Sequence, residues 1–241
     1  MAKERVSKEG ISAFFPAYDE WGTLGSMIAV TSSILNEMHV PHEIIIINNG
    51  STDYTNIILE ELKKKYKNLR IVYFQKNQGY GGALKAGFAA AKKDIIFYTD
   101  ADAQYDIMQL KTAISRMDKN TDAVIGYKIN RADPYHRYIL GKMYQRFVKM
   151  MFKLRLKDVD CDFRLIRKNI LKGIDLKSKS GVVCIELMKQ VENRTSRIKE
   201  IPLKHFARAY GKSKFFDIRQ VIITLSNLIT LWIYLRKKDI K

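Results

Sequence analysis

The sequence is poor in the residues that build sulfur-based or histidine-based sites. It contains two cysteines, Cys161 and Cys184, and four scattered histidines among 241 residues. These cysteines form neither a metal-spaced cluster nor a disulfide framework, which is typical of a reducing compartment, and we expect both to pack in a core. No Ser-His-Asp or Cys-His arrangement for nucleophilic catalysis stands out. A disulfide-stapled scaffold is therefore excluded.

Long apolar segments are also missing. Residues 1–10 are polar and lack the apolar stretch of a secretory signal, so we expect the bulk of the protein to stay cytoplasmic. The apolar stretch Val221–Leu235 spans only about 22 Å as a helix, against about 30 Å for the hydrocarbon core of a bilayer. Basic residues follow it from Arg236 onward. The pattern favours an amphipathic interfacial or partner-docking helix over residues 216–241 rather than a transmembrane helix.

Acidic residues are outnumbered by basic ones. The chain has 25 Asp and Glu against 43 Lys and Arg, a formal net charge of +18. Anionic partners are therefore expected: nucleotides, phosphorylated lipids, a membrane surface or nucleic acid. Charge alone does not choose among them.

Apolar runs of strand length alternate with helical patterns from residue 11 to residue 127. Glu43–Ile47 is unbroken in β-branched residues, as expected for a strand covered on both faces. The alternation predicts an α/β fold with an open, mostly parallel sheet and helices on both faces. Ligands bind such sheets beyond the carboxyl ends of the strands. The predicted strands are 11–15, 43–47, 70–75, 95–98, 123–127 and 197–203, and the predicted helices include 23–38, 54–66, 107–117, 135–154 and 182–190.

The segment Asp94–Asp106, DIIFYTDADAQYD, brings carboxylates to the end of a buried strand. If the chain stays extended, its two-residue period places Asp100, Asp102 and Gln104 on one side. Carboxylate and amide oxygens suit Mg²⁺ or Mn²⁺, which usually complete their shell with water and substrate phosphate oxygens. The alternative is a polar turn that caps the helix starting near Ile107.

Two further segments have open interpretations. The glycine-rich turn Asn77–Gly82 precedes an alanine-rich helix, which suits either phosphate binding or close helix–sheet packing. From residue 135 to 154 the sequence is basic, with apolar residues such as Met143, Phe147 and Met150 at helical spacing. This pattern indicates a membrane-facing or partner-binding helix, or else an ordinary helix with a solvated charged face. The basic loop His205–Phe215 could close over an anion or be a solvated charge run.

Six motifs occur in order along the chain: PAYDE, NNGSTD, NQGYGGALKAGF, TDADAQ, DVDCDFR and RAYGKSK. With them the chain resembles inverting family 2 glycosyltransferases of GT-A fold, specifically the dolichol-phosphate mannose synthase-like group, over residues 11–215. The resemblance implies a catalytic domain over residues 1–215. It also implies a metal-dependent enzyme that transfers a hexose, mannose or glucose, from a GDP- or UDP-sugar to a dolichyl or undecaprenyl phosphate. Such an enzyme would be peripheral, on the cytoplasmic face of a membrane, with an integral membrane protein as a candidate partner.

The resemblance also implies roles for individual residues. Asp100, Asp102, Arg137 and Arg208 would be catalytic, and Asp102 and Gln104 would bind Mg²⁺ or Mn²⁺. Asp100 and Ala101 would contact nucleotide and sugar. The residues holding the base and ribose would be Pro16, Tyr18, Glu20, Ile47 and Asn49, and those stabilising the diphosphate or the acceptor phosphate would be Lys128, Arg137, Arg208 and Lys214.

Three positions depart from the family pattern. Asn49 stands where Asp is common, Lys128 replaces a usual Arg and loses its bidentate fork, and Gly141 falls where some relatives carry Ser.

A phosphate acceptor is anionic at neutral pH and needs no strong general base. An enzyme with a soluble or polysaccharide acceptor would instead need an Asp such as Asp158, Asp160 or Asp162 as base. A basic nucleic-acid-binding protein is the third hypothesis, although the ordered carboxylates would repel a phosphate backbone.

Overall fold

The computed structural model describes Val6 and residues 8–129, 135–207 and 218–239. The strands are β1 Ile11–Ala17, β2 His42–Asn48, β3 Leu69–Tyr73, β4 Ile95–Tyr98, β5 Ala123–Ile129, β6 Arg164–Arg167 and β7 Ile198–Lys204. The helices are α1 Trp21–Glu37, α2 Thr55–Lys65, α3 Gly79–Ala90, α4 Leu110–Arg116, α5 Tyr135–Phe152, α6 Lys168–Leu171, α7 Val183–Glu192 and α8 Ile218–Asp239, with a 3₁₀ turn at Ile107–Gln109.

The strands form one sheet with the order β3-β2-β1-β4-β6-β5-β7. Strand β2 shows why both faces are covered. Ile44 and Ile46 pack into the core that contains α1 and α4, whereas Ile45 and Ile47 pack into the core that contains α3, α5, α7 and α8. Full burial of such a side chain contributes about 1.5–3 kcal/mol, so a strand apolar on both sides is stable only between two helical layers. The predicted α/β architecture is confirmed.

Strand β6 determines how the acidic motifs meet. It runs antiparallel to both β4 and β5, and Tyr98 at the carboxyl end of β4 pairs with Arg164 at the start of β6. The segment before β6 therefore lies at the same sheet edge as the segment after β4. The sequence contains DVDCDFR as a motif but predicts no strand direction there, and the antiparallel direction of β6 brings it beside TDADAQ.

The C-terminal helix α8, Ile218–Asp239, lies within the predicted range 216–241. It buries Leu228, Leu231 and Leu235 against the core shared with α5 and α7. None of the helices within the described residues is long and apolar enough to cross a bilayer. The division of the chain between residues 215 and 216 stays a prediction.

Candidate active site

A cavity of about 250 Å³ opens at the carboxyl edge of the sheet, where β1, β2 and β4 end. Most of its lining residues are those predicted to hold a nucleotide and its sugar, and the fold brings them together across more than eighty positions of sequence. The lining comprises the predicted Pro16, Tyr18, Glu20, Asn49, Asp100, Ala101 and Asp102, together with Ala17, Tyr80 and Ala83.

The DADAQ loop is a tight turn and not an extended row. Strand β4 ends at Tyr98, and Ala103 has the left-handed backbone angle φ of 57°. The prediction that the carboxylates and Gln104 follow one another along an extended chain is therefore wrong. The turn is held from both sides, because Asp102 Oδ1 accepts a hydrogen bond of 3.1 Å from the Gln104 amide and the Thr23 hydroxyl donates to the Ala101 carbonyl at 2.5 Å.

Gln104 joins this turn to the segment after β7. Its side-chain Nε2 donates to the Phe206 carbonyl at 3.1 Å, and the Phe206 amide donates to the Gln104 carbonyl at 2.8 Å. An isolated bridge between Tyr105 and His205 continues the contact. Gln104 is not among the residues that line the cavity. Its role as a metal ligand stays a prediction.

The electrostatics of the cavity suit a divalent cation. Burial raises the pKa of Asp100 well above its usual range, and the neighbouring carboxylates of Asp162 and Asp102 raise it further. No group of three or more His, Cys, Asp or Glu that could hold a metal occurs within the described ranges. Mg²⁺ is commonly bound by one or two carboxylates together with substrate phosphate oxygens, and the pair Asp100 and Asp102 beside a cavity fits that donor set.

Asn49 uses its amide within the protein. Its Nδ2 donates to Asn77 Oδ1 and to the Gly79 carbonyl, both at 3.2 Å, and its Oδ1 accepts from the Gln78 amide at 2.9 Å. An Asp at this position could accept the last of these bonds but could donate neither of the others. The departure from the family pattern thus has a structural reason, since Asn49 ties the glycine-rich turn to the end of β2.

Lys128 of β5 packs against the DVDCDFR segment, residues 158–164, and does not line the cavity. Its side chain is 7% exposed, with Nζ 3.0 Å from the Asp160 carbonyl and 3.9 Å from Asp158 Oδ2. The Asp158 carboxylate is itself occupied, accepting bonds from Gln145 Nε2 at 2.6 Å and from the Asp160 amide at 3.0 Å. Lys128 and Asp158 are therefore buried and stabilise this loop. A contact between Lys128 and a phosphate stays a prediction.

Asp160 is expected to weaken the fold at neutral pH. Burial raises the pKa of Asp160 to about 6 against the opposing Lys128 ammonium, with Asp158 and Asp162 adding to the rise. The carboxyl group is protonated in both states below its unfolded pKa of about 4, so the penalty appears as pH rises toward 6. We expect Asp160→Asn to stabilise the protein by about 2 kcal/mol at pH 8 and to leave it unchanged at pH 4.

Urea unfolding of both proteins at the two pH values measures this difference. Asp118→Asn is the control, and its effect on stability should have the opposite sign. The hydrogen bond from Lys199 lowers the pKa of Asp118 to about 2, so the ionised carboxylate stabilises the fold. That variant should lose stability at pH 8. An Asp160→Asn protein that is no more stable than wild type at pH 8 would contradict the assigned penalty.

Arg164 anchors the segment that precedes β6. Its guanidinium is fully buried, donating to the carbonyls of Val159 at 2.9 Å and Cys161 at 3.0 Å and also to the Tyr98 hydroxyl. The nitrogen that bonds the Val159 carbonyl, Nη2, also lies 3.3 Å from Asp162 Oδ1. The buried Cys184 thiol donates to the same carboxylate oxygen at 3.0 Å. Both cysteines are free and buried, as predicted.

The structure leaves some predicted residues away from the cavity or undescribed. Ile47 is fully buried in the core and does not line the cavity, so its contact with the ribose stays a prediction. Arg137 lies in the first turn of α5, and its side chain is outside the described residues, as are Arg208 and Lys214.

Tyr80 is a residue of this site that was not predicted from the sequence. It lines the cavity and its hydroxyl donates to Asp100 Oδ1 at 2.5 Å. The one available signal was an aromatic residue between the glycines of NQGYGG.

Solved structures share this architecture. Glucosyl-3-phosphoglycerate synthase from Mycobacterium tuberculosis, in complex with Mn²⁺, UDP-glucose and phosphoglyceric acid, is 16% identical, with a TM-score of 0.72 over 96% of this chain and 82% of that chain. The same enzyme with Mn²⁺, UDP and glucosyl-3-phosphoglycerate is 17% identical, with a TM-score of 0.71 over 94% and 82%. A further crystal structure, described as a mycobacterial protein, is 20% identical, with a TM-score of 0.68 over 93% and 76%.

The sheet, its two helical layers and the cavity at the carboxyl edge match the GT-A fold. The family model described as glycosyl transferase family 2 matches residues 12–175, and the chain belongs to that family.

Proposed function

We propose that the protein transfers a hexose from a nucleotide diphosphate sugar, with inversion, to a polyprenyl phosphate at the cytoplasmic face of a membrane. Pro16, Tyr18 and Glu20 line the cavity and would hold the nucleotide, and the carboxylates of Asp100 and Asp102 in the same lining would bind a divalent cation. Bound Mg²⁺ or Mn²⁺ would neutralise the diphosphate and stabilise the charge that grows as it leaves. The acceptor phosphate is already anionic, so it can attack without a strong general base.

One observation carries the choice of acceptor: two neighbouring helices leave large apolar side chains in solvent. Met150 is 73% exposed, Met143 64% and Ile222 62%. The helices touch, since the Trp232 indole in α8 donates to the Met151 carbonyl in α5 at 3.2 Å. We call the exposed set the α5/α8 surface, comprising Ile139, Leu140, Met143, Phe147, Met150, Ile222, Ile223, Leu225, Ile229 and Ile233.

Basic residues accompany this surface. Exposed Lys142 and Arg146 lie on α5, and exposed Arg236 and Lys237 lie near the end of α8. Apolar side chains that insert at the headgroup boundary and cations that meet anionic headgroups are the two components of interfacial binding. A charged solvated face alone would not explain why ten large apolar side chains on these two touching helices are exposed.

A soluble phosphorylated acceptor is the second candidate. It is favoured by the similar solved structures, which hold phosphoglyceric acid or glucosyl-3-phosphoglycerate. A hydroxyl acceptor would need a general base, and Asp160, whose pKa is raised to about 6, suits that role better than the fully occupied Asp158. The nucleic-acid hypothesis has no counterpart among these matches.

The two acceptors can be compared directly. The full-length protein is incubated with Mn²⁺ and radiolabelled UDP-glucose or GDP-mannose. It is offered either undecaprenyl phosphate in anionic phospholipid vesicles or dissolved 3-phosphoglycerate. We expect label in the organic-extractable product. Label found only in a water-soluble product would replace the lipid acceptor by the soluble one.

The α5/α8 surface is tested by an apolar-to-charged change. Ile222→Glu should reduce flotation with anionic vesicles and lower transfer to lipid about tenfold, because a carboxylate cannot enter the apolar boundary and is repelled by the lipid charge. Ile57→Glu is the matched control, since Ile57 is also 62% exposed but lies on α2. Equal flotation of the two variants would show that this surface does not bind lipid.

A further inference from the structure

Tyr80 holds one oxygen of a cavity carboxylate. It lies in the first turn of α3, and its hydroxyl donates to Asp100 Oδ1 at 2.5 Å. The bond occupies Oδ1 and leaves Oδ2 for a ligand.

The backbone around Tyr80 is fixed by a second segment, residues 177–180. The Gly81 amide donates to the Lys179 carbonyl at 3.0 Å. A Cβ at Gly81 would lie 1.9 Å from the Ser178 carbonyl oxygen, and a Cβ at Gly79 would lie 2.4 Å from the Lys179 carbonyl oxygen. Both glycines therefore permit a backbone-to-backbone contact that no other residue allows. Close packing of these two backbone segments therefore explains why the turn is rich in glycine.

Residues 177–180 are themselves held in place. The carboxylate of Glu186, fully buried in α7, accepts the amides of Lys177 and Ser178, both at 2.8 Å. On the other side, Asn227 of α8 donates to the Ser180 hydroxyl at 3.2 Å. A buried carboxylate bonded to two main-chain amides is a rigid support, because breaking either bond would leave a charged group unsatisfied.

We propose that Tyr80 is a positioning residue for the donor. It orients the Asp100 carboxylate toward the nucleotide sugar, and residues 177–180 keep Tyr80 in register through Gly79 and Gly81. The inference rests on the proposed donor site, but it does not depend on which acceptor is used. It also gives the C-terminal helix a part in the donor site, since Asn227 contacts the supporting segment.

Tyr80→Phe removes only the hydroxyl. We expect affinity for UDP-glucose or GDP-mannose with Mn²⁺, measured by calorimetry, and kcat/KM each to fall about tenfold, the effect of losing a hydrogen bond to a charged group. Tyr73→Phe is the matched control, because the Tyr73 hydroxyl bonds Glu60 at 2.6 Å away from the cavity. In an Asp100→Ala background, Tyr80→Phe should have no further effect on sugar nucleotide affinity, since its partner is gone.

Gly81→Ala tests the support. The added methyl group must displace residues 177–180, and we expect the same tenfold loss in affinity. Gly25→Ala is the control, because a Cβ at Gly25 meets nothing within 4 Å. Wild-type affinity in Tyr80→Phe, or an equal loss with and without Asp100, would overturn the positioning role alone. If wild-type protein binds neither sugar nucleotide, the proposed donor site fails as well.

Discussion

Asp102→Asn is expected to lower turnover by at least about a thousandfold while the protein stays folded. The change removes one negative charge from the cavity but preserves the acceptor for the Gln104 amide, so the turn should keep its shape. Without that charge, a divalent cation loses its anchor, and the diphosphate meets Asp100 without neutralisation. In this variant turnover should therefore fall while the local structure of the turn is unchanged.

Metal binding provides a readout besides activity. Mn²⁺ together with UDP or GDP should raise the unfolding temperature of wild-type protein by mass action, and this rise should vanish in Asp102→Asn. Asp106→Asn is the matched control, with the same charge change in the same loop. Asp106 caps the 3₁₀ turn through the Met108 amide at 3.0 Å, and Asn caps equally well. A full Mn²⁺ response in Asp102→Asn would refute the assignment of the cation to this carboxylate.

Arg164→Met should have the largest effect on stability, a loss of about 3–5 kcal/mol. Met fills much of the volume but leaves Asp162 without its cation and the Val159 and Cys161 carbonyls without their donor. Each of these groups is buried, so water does not replace the lost bonds. For a chain of this length the melting temperature should fall by about 10 °C.

The control is Arg116→Met, since Arg116 is exposed on α4. We expect a change within about 0.5 kcal/mol there, as for most surface substitutions. Chemical denaturation of both variants at pH 7 measures the difference. Comparable stabilities would mean that the buried guanidinium is not a structural requirement.

Most of the sheet follows from the sequence because its signals are local. Ile44–Ile47 are apolar on both sides of the strand, and such a strand is stable only between two helical layers. Carboxyl ends of parallel strands meet at one edge, so PAYDE, NNGSTD and DADAQ could be assigned to a common site before any contact was known. The lining of the cavity by Glu20, Asn49 and Asp102 agrees with that assignment.

The sequence by itself thus determined the α/β class, the edge at which the site lies and the acidic residues that line it. Only the tertiary structure decided the antiparallel direction of β6, the left-handed turn at Ala103, the internal bonds of Asn49 and the contact of Tyr80 with Asp100. The physical reason is the distance along the chain over which each kind of information acts. Periodicity records which face of an element is buried, whereas hydrogen-bond partners dozens of residues apart are chosen by the packing of the whole chain.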